Sequence, residues 1–256
     1  AARNGVMATS LAAAGFTASQ EVLEDAYAGT GFCSAHTGIT KPRFASIARA
    51  FEDGATYRLL DPGIGIKLSP TGTMALAVIP CVLGLVKRHD IQPQDVEKVE
   101  YGHSKLAGDI APFDDPQDHA QALYSLTHCV AAPIVYRKAG IREFSDEAIY
   151  DARIVAMRKR VHHYADPELD AMPDIKDVPA CKVTIYLRDG RSYSGSQRRP
   201  DAYPGGTPLS RSGLLEKFTD CVSQHLPEER AQQCVTMVDC LEDVNNIEGL
   251  IRILAA

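Results

Sequence analysis

The chain has 256 residues, with 27 Lys and Arg against 33 Asp and Glu, so its formal net charge is −6. Proteins that bind the phosphate backbone of nucleic acids carry a basic surface, and this acidic balance argues against that class. Hydrophobic residues make up 45% of the chain, as in ordinary folded proteins. The longest apolar run, residues 74–86, is shorter than a membrane-spanning helix and contains Pro80. We therefore expect a folded protein with neither nucleic-acid nor membrane partners.

Seven cysteines are spread along the chain. Their number is odd and no two form a Cys-x-x-Cys motif, so their spacing indicates neither a disulfide framework nor a zinc site. The only adjacent histidines, His162 and His163, have no cysteine close to them in sequence. We therefore expect reduced thiols in a cytoplasmic protein, and no metal ion.

The first 56 residues are rich in Ala and predict helices. The first helix is expected to end near Ala14, because Gly15 is the residue type that most often terminates a helix. Further helices are predicted at 20–27 and 42–51, with a Gly- and Thr-rich loop at 28–41 between them. Neither an initiator Met nor a capping residue precedes the first helix, so we expect the chain to be a piece of something longer.

Residues 57–204 combine strand and helix patterns. Strands are predicted within 59–68, after a turn, and at 96–101, 182–187 and 191–196, the last two joined by a hairpin turn at Asp189 and Gly190. Helices are predicted at 74–89, at 123–136 with an interruption at Pro133, and from a cap at Ser145 to about residue 161, which leaves His162 and His163 at a solvated helix end.

A Pro- and Gly-rich linker at 198–209 leads into a helical C-terminal part. Helices are predicted at 214–222, at 227–241 with Pro227 as the first helical residue, and at 247–254. The predicted fold class is α+β. We expect 1–56 and 205–256 to form one discontinuous all-helical domain, into which residues 57–204 are inserted as a smaller α+β lid domain.

Five stretches, taken in chain order, carry a family likeness. They are Ala2-Arg3-Asn4-Gly5-Val6-Met7 with Glu21-Val22-Leu23-Glu24, then Ile66-Lys67-Leu68-Ser69-Pro70, residues 125–132, residues 140–147, and the hairpin at 183–191 followed by Pro208-Leu209-Ser210 and Lys217-Phe218. In this order they resemble the MmgE/PrpD family, which includes 2-methylcitrate dehydratases, cis-aconitate decarboxylases and iminodisuccinate epimerases.

The resemblance implies a helical domain with a smaller α+β lid, a homodimer, a small polycarboxylate substrate, and no metal or organic cofactor. It also implies a helical stretch ahead of this chain, which in the family holds several active-site positions. The chain therefore resembles the C-terminal part of a family member, and a separate N-terminal chain is a possible partner.

Lys67 follows a Gly-rich turn. An ammonium group at the mouth of a loop can pair with a substrate carboxylate or stabilise the enediolate that forms when a proton leaves the α-carbon. By resemblance, Lys67 matches the active-site lysine of a Lys-x-aromatic-Pro motif, although Ser69 stands where the aromatic residue is expected. The alternative is a solvated lysine at a strand end.

Thr71, Gly72 and Thr73 precede the predicted helix at 74–89. Backbone N–H groups and hydroxyls at a helix N-terminus form a ready anion site, and a simple helix cap is the alternative. Family members commonly place a histidine within the next several positions, whereas this chain has none before His89.

His128 lies in an apolar helix. It is either an acid/base group or a core histidine bonded to a carbonyl, and the sequence leaves both open. By resemblance it stands at or beside an aromatic position that lines the family's pocket. Tyr124 is predicted to serve in packing, and His103 to lie in an exposed loop.

The predicted function is that of a lyase, a cofactor-free dehydratase of a small tricarboxylate such as 2-methylcitrate. Lys67 and His128 are the predicted catalytic residues, and Thr71, Gly72 and Thr73 are predicted to bind the substrate. The alternatives are an epimerase, racemase or decarboxylase of the same fold, and a catalytically incomplete fragment or structural subunit.

Overall fold

A computed structural model describes residues 2–19, 22, 31–37, 57, 59–61, 63–172 and 180–255. The chain divides into two units, Ala1–Pro62 and Gly63–Ala256. Apart from Val22, the helices predicted at 20–27 and 42–51 lie outside the described residues.

The first unit contains helix α1 (Ala2–Ala13), and Gly15, two residues after its end, has the positive φ of 86° that is expected of a helix-terminating glycine. It also contains α2 (Phe32–Thr37), within the stretch that was predicted to be a loop, so that prediction is wrong here. The rings of Phe32 and His36 stack at 4.2 Å, and His36 Nδ1 lies 2.9 Å from the Phe32 carbonyl oxygen. This pairing of residues four apart stabilises a short helix that a Gly- and Thr-rich composition does not reveal.

The second unit combines helices with one sheet. Its helices are α3 (Val78–His89), α4 (Lys105–Ile110), α5 (His119–Ala122), α6 (Leu126–Tyr136), α7 (Asp146–Tyr150), α8 (Ala152–Arg158), α9 (Pro167–Asp170), α10 (Arg211–Val222), α11 (Glu228–Asp239) and α12 (Glu248–Leu254). Its strands are β1 (Val96–His103), β2 (Val161–Ala165), β3 (Cys181–Leu187) and β4 (Ser192–Gln197). The predicted α+β class is confirmed.

The four strands form a sheet in the order β2-β1-β3-β4. β2 runs parallel to β1, whereas β1 with β3 and β3 with β4 are antiparallel. β3 alternates between buried and half-exposed residues, because one face of the sheet is covered by helices and the other carries polar side chains. Val183 and Ile185 lie on the covered face, and Thr184 lies on the polar face.

Helix α3 packs on β3 and β4, helix α6 packs on α3, β2 and α8, and these two helices form the middle of the core. All residues of α6 except Tyr136 are buried. The helix runs through Pro133, so the predicted interruption is wrong. Proline removes one backbone hydrogen bond, but burial of nearly every side chain of α6 outweighs that loss.

The predicted helix from residue 146 to about 161 is two helices followed by a strand. Ser145 caps α7 as expected, but the backbone of Asp151 is extended, with ψ 122°, and its carboxylate begins α8 by accepting from the Arg153 N–H. His162 and His163 then lie in β2, so their placement at a solvated helix end is wrong. A five-residue strand paired with a distant partner leaves no local pattern that separates it from a helix end.

The segment 63–67 belongs to no strand, although the sequence predicts one there. Ile66 N–H donates to the Ala202 carbonyl oxygen at 2.9 Å, so the predicted strand is replaced by a single link to the loop after β4. The hairpin at Asp189 and Gly190 is confirmed, and Gly190 adopts a positive φ of 86°.

The three predicted C-terminal helices are present as α10, α11 and α12, with Pro227 at the N-cap of α11 rather than at its first helical position. Neither α10 nor α12 contains a buried residue. The predicted joining of 1–56 with 205–256 in one domain, with 57–204 as its lid, stays a prediction. Within the described parts of the chain, each helix is too short or too polar to cross a bilayer.

Candidate functional site

Lys67 ends the segment 63–67 and precedes a turn at 68–71. Its side chain is exposed, and Nζ donates to the Thr71 carbonyl oxygen at 3.1 Å. An ammonium group has three N–H donors, so this bond leaves donors that can bind an anion. The bond also orients the side chain over its own turn, which reduces the entropy that binding would cost.

The turn after Lys67 is anchored to the residues just before α6. Thr71 is only 3% exposed, and its hydroxyl donates to the Leu123 carbonyl oxygen at 2.7 Å. Gly72 N–H donates to the same oxygen at 2.8 Å. A Cβ on Gly72 would meet the ring of Tyr124 at 3.2 Å, so the absence of a side chain there lets Tyr124 lie against the backbone.

The structure does not place Thr71 and Gly72 at the N-terminus of helix α3, where the sequence predicts an anion site. The helix α3 begins at Val78 with Ala77 as its N-cap, and a 3₁₀ turn at Thr73–Ala75 separates it from Thr71 and Gly72. The donors of Thr71 and Gly72 are bonded inside the chain, which makes them supports of the turn that carries Lys67. Substrate binding by Thr71, Gly72 and Thr73 stays a prediction.

His128 is fully buried in α6. Its Nε2 lies 2.8 Å from the Glu143 carbonyl oxygen, and its ring meets the ring of Phe144 edge-on at 4.9 Å. Burial lowers the pKa of His128 to about 4, so at neutral pH the ring is uncharged and Nε2–H donates to the carbonyl. These are the surroundings of a core histidine, and its catalytic role stays a prediction.

The structure does not join Lys67 and His128, which are both described, through a hydrogen bond. The two predicted catalytic residues are connected only indirectly, through the core. Thr71 Oγ1 lies 3.2 Å from the sulfur of Cys129, the neighbour of His128 in α6. Burial raises the pKa of the Cys129 thiol to about 12, so Cys129 serves as a buried neutral partner rather than as a nucleophile.

A cavity of about 710 Å³ lies in the second unit beside the same segment. Ile66 and Leu68 line it, whereas Lys67 does not. Its walls are mostly apolar and come from α3, from residues 136–140, from the loop between β4 and α10, and from α10 itself. Its charged lining residues are the cationic Lys87, Arg137, Lys138 and Lys217 and the acidic Asp201, Glu216 and Asp220. Asp220 binds the Lys138 ammonium at 2.9 Å and raises the pKa of that lysine.

His103 and Tyr124 are two further residues whose surroundings the sequence predicts. His103 is the last residue of β1 and is 3% exposed, so its predicted place in an exposed loop is wrong. The strand continues two residues beyond the alternating pattern that predicted it. Tyr124 is used in packing, as predicted, although 44% of it is exposed.

The anchoring of the turn is the part of the site that the sequence did not reveal. Thr71 and Leu123 are 52 residues apart, and a backbone carbonyl carries no residue-specific signal. Among the described residues, no three His, Cys, Asp or Glu side chains are grouped so that they could hold a metal ion.

Comparison with known proteins identifies the family. A family model described as the MmgE/PrpD C-terminal domain matches residues 70–243. Cis-aconitate decarboxylase from Mus musculus is 22% identical over 263 residues, which cover 99% of this chain and 50% of that relative. The chain therefore spans about half the length of the relative it matches. The family match includes Thr71 and His128, and begins just after Lys67. Since it covers most of the chain, this protein belongs to the MmgE/PrpD family.

Proposed function

We propose that this chain forms part of a lyase that acts on a small polycarboxylate. Membership of the MmgE/PrpD family supports the proposal, as does the distant likeness to an enzyme named for the decarboxylation of cis-aconitate. The structural observation that carries it is the exposed ammonium of Lys67, held by the Thr71 carbonyl on a turn that is fastened to the core.

The proposed role of Lys67 is to stabilise negative charge. When a base removes the proton α to a carboxylate, the carboxylate oxygens acquire the charge of an enediolate, and a nearby ammonium lowers the energy of that state. A base at His128 would require its neutral ring to reach the substrate from the core, so Lys67 is the better supported of the two predicted catalytic residues.

The reaction proposed first is dehydration of a tricarboxylate such as 2-methylcitrate. The α-proton leaves to a base, a carbon–carbon double bond forms, and the β-hydroxyl departs as water after protonation. Decarboxylation is the second candidate, favoured by the name of the mouse relative. There the bond to a carboxylate breaks, carbon dioxide leaves, and a proton takes up the electron pair. A homodimer, a cytoplasmic location and reduced thiols complete the proposal.

The test compares Lys67→Ala with Lys67→Arg in the protein produced from its full reading frame. Each is incubated with 2-methylcitrate, citrate and cis-aconitate, and carbon dioxide release is measured beside the new double bond, so the two reactions are distinguished. We expect Lys67→Ala to lower kcat by about 10²–10³-fold, while Lys67→Arg keeps part of the activity because it keeps the charge.

The matched control is Lys159→Ala, which removes another exposed lysine and is expected to leave kcat unchanged. Full activity of a folded Lys67→Ala variant would overturn the role of Lys67. Absence of any product from the folded parent protein on all three acids would overturn the lyase proposal and favour a structural subunit.

A further inference from the structure

Three side chains outside the site described above form a continuous hydrogen-bonded chain. His103 at the end of β1 is joined to His163 in β2, with His103 Nε2 2.9 Å from His163 Nδ1. His163 Nε2 lies 2.7 Å from a carboxylate oxygen of Asp114. At the other end, His103 Nδ1 lies 2.8 Å from the Ser104 carbonyl oxygen. We call Asp114, His163 and His103 the histidine chain.

The number of protons that the histidine chain needs follows from its two ends. The Ser104 carbonyl only accepts, so His103 Nδ1 must carry a proton, and the Asp114 carboxylate only accepts, so His163 Nε2 must carry one too. The remaining contact, between His103 Nε2 and His163 Nδ1, needs one proton between the two nitrogens. The three bonds are therefore complete only when the pair of rings carries one proton more than two neutral imidazoles.

With the Asp114 side chain as a carboxylate, any other protonation state of the two rings breaks a bond. If both rings are neutral, either two lone pairs face each other in the middle or one ring turns a lone pair towards an end acceptor. If both rings are cationic, two N–H groups face each other at 2.9 Å. All three hydrogen bonds therefore form only while the two rings share this additional proton. The histidine chain is complete only over a limited range of pH.

Burial decides which ring carries the charge. His103 is 3% exposed, and burial lowers its pKa, whereas the side chain of His163 is 22% exposed and faces the Asp114 carboxylate. When all three bonds are made, His103 is therefore the ring that accepts at Nε2, and His163 is the ring that donates at both nitrogens beside the Asp114 carboxylate. Each of the other charged groups near the two rings has a partner of its own. On α4, Lys105 pairs with Asp109, and the Lys105 N–H donates to Asp170. Asp115 pairs with Arg158 of α8, and Asp166 pairs with Lys182 of β3.

The histidine chain connects a loop to the sheet. Asp114 lies in residues 111–118, between α4 and α5, and its own carbonyl accepts from the Thr127 hydroxyl in α6 at 2.6 Å. The side chain of Asp114 is therefore the link from this loop to β2, while its backbone is held by α6. A change in the charge of His163 therefore alters the hydrogen bond between Asp114 and His163, and it leaves the hydrogen bond between the Asp114 carbonyl and Thr127 in place.

We propose that Asp114, His163 and His103 form a pH-sensitive latch, which fastens the loop 111–118 to the end of β1 and the middle of β2 only while the two imidazoles share one additional proton. Raising the pH removes that proton and breaks one of the three hydrogen bonds. Strong acidification adds a second proton and breaks the central bond. The latch lies outside the residues proposed for catalysis, so it stands independently of the lyase proposal.

The first test is nitrogen-15 NMR of the histidine rings in the intact protein. Where the three bonds are complete, we expect both nitrogens of His163 to be protonated and His103 to be neutral with its proton on Nδ1. The second test is hydrogen exchange of the amides in 111–118, expressed as protection relative to the intrinsic rate at each pH. We expect protection there to fall by about tenfold when the pair loses its proton, which is the effect of one charged hydrogen bond.

Two variants separate a latch from a merely structural contact. Asp114→Asn keeps an acceptor but removes the charge, so the loss of protection should begin at a lower pH. His163→Gln should abolish the pH dependence of loop protection. His162→Gln, one residue earlier on the same strand and pointing to the opposite face, should leave that dependence intact. A His163 ring that stays neutral at every pH at which the protein is folded, or an unchanged pH dependence in His163→Gln, would overturn the proposal.

Discussion

Asp151 shows how one carboxylate can define a break between two helices. It accepts from the Arg153 N–H at 2.8 Å, which caps α8, and from the Tyr136 hydroxyl of α6 at 2.9 Å. The Arg153 guanidinium binds the same carboxylate at 2.6 Å. These bonds, led by that of the Arg153 side chain, hold the pKa of Asp151 well below its ordinary value.

We predict that Asp151→Asn lowers the free energy of unfolding by about 1 kcal/mol at pH 7, because it removes the charge while retaining a capping oxygen. A depressed carboxyl pKa stabilises the fold above the unfolded-state value of about 3.9, and that contribution disappears as the pH falls through the folded-state pKa. The difference between parent and variant should therefore shrink in acid, as measured by urea unfolding from pH 7 down to pH 3.

The matched control is Asp189→Asn, because Asp189 also binds an arginine two residues later. The ion pair between Asp189 and Arg191 is exposed at the hairpin turn and does not join the turn to another helix or strand. We expect no measurable change in stability from it. Equal effects of the two substitutions would show that the charge of Asp151 contributes no more to stability than that of an exposed ion pair.

Capping serines provide a comparison between a buried and an exposed helix. Ser125 is fully buried, and its hydroxyl accepts from the His128 N–H at 3.1 Å at the start of α6. Ser210 makes the same contact with the Gly213 N–H at 3.1 Å, but at the exposed start of α10. An unsatisfied N–H costs more where water cannot replace the lost partner.

We predict that Ser125→Ala costs about 1–2 kcal/mol of unfolding free energy and that Ser210→Ala costs less than half as much. Thermal unfolding followed by circular dichroism would compare the two variants under identical conditions. An equal or larger loss from Ser210→Ala would contradict the view that α6 is the central helix of the second unit.

The elements that the sequence predicted well are those whose signals are local. The hairpin of β3 and β4 follows from Asp189 and Gly190, a turn whose positive φ suits glycine. β2 was missed because its pattern is short and its partner β1 is distant along the chain. Helix α6 continues through Pro133 because other parts of the fold bury its side chains. A short stretch of sequence carries no information about that burial.

The same distinction applies to the candidate site. Lys67 and the turn up to Thr73 are neighbours in sequence, so their proximity could be predicted. Their fastening to Leu123 could not, because it depends on a backbone oxygen 52 residues away. The histidine chain was missed for a related reason, since it forms only once β1 and β2 are paired.

On the scale of the whole molecule, the C-terminal helices leave apolar surface uncovered. Arg230 of α11 donates to the carbonyl oxygens of Arg252, Ile253 and Ala255, and so holds the end of α12 through its backbone. The side chains of α12 remain outside the core. Ile247 is 56% exposed and Ile251 is 55% exposed, and residues four apart lie on one face of a helix.

Apolar surface of this kind is usually covered by another protein surface, so we predict that the 256-residue chain self-associates in a concentration-dependent way. Ile251→Glu should weaken that association by about tenfold or more, because burial of an isoleucine side chain contributes about 1.5–3 kcal/mol. Light scattering over a range of concentrations measures the effect. Gln233→Glu adds the same charge at an exposed position of α11 and should leave the association unchanged, which separates the loss of apolar contact from simple charge repulsion. A parent chain that stays monomeric at every concentration would contradict the prediction, and the exposed face of α12 would then be ordinary surface.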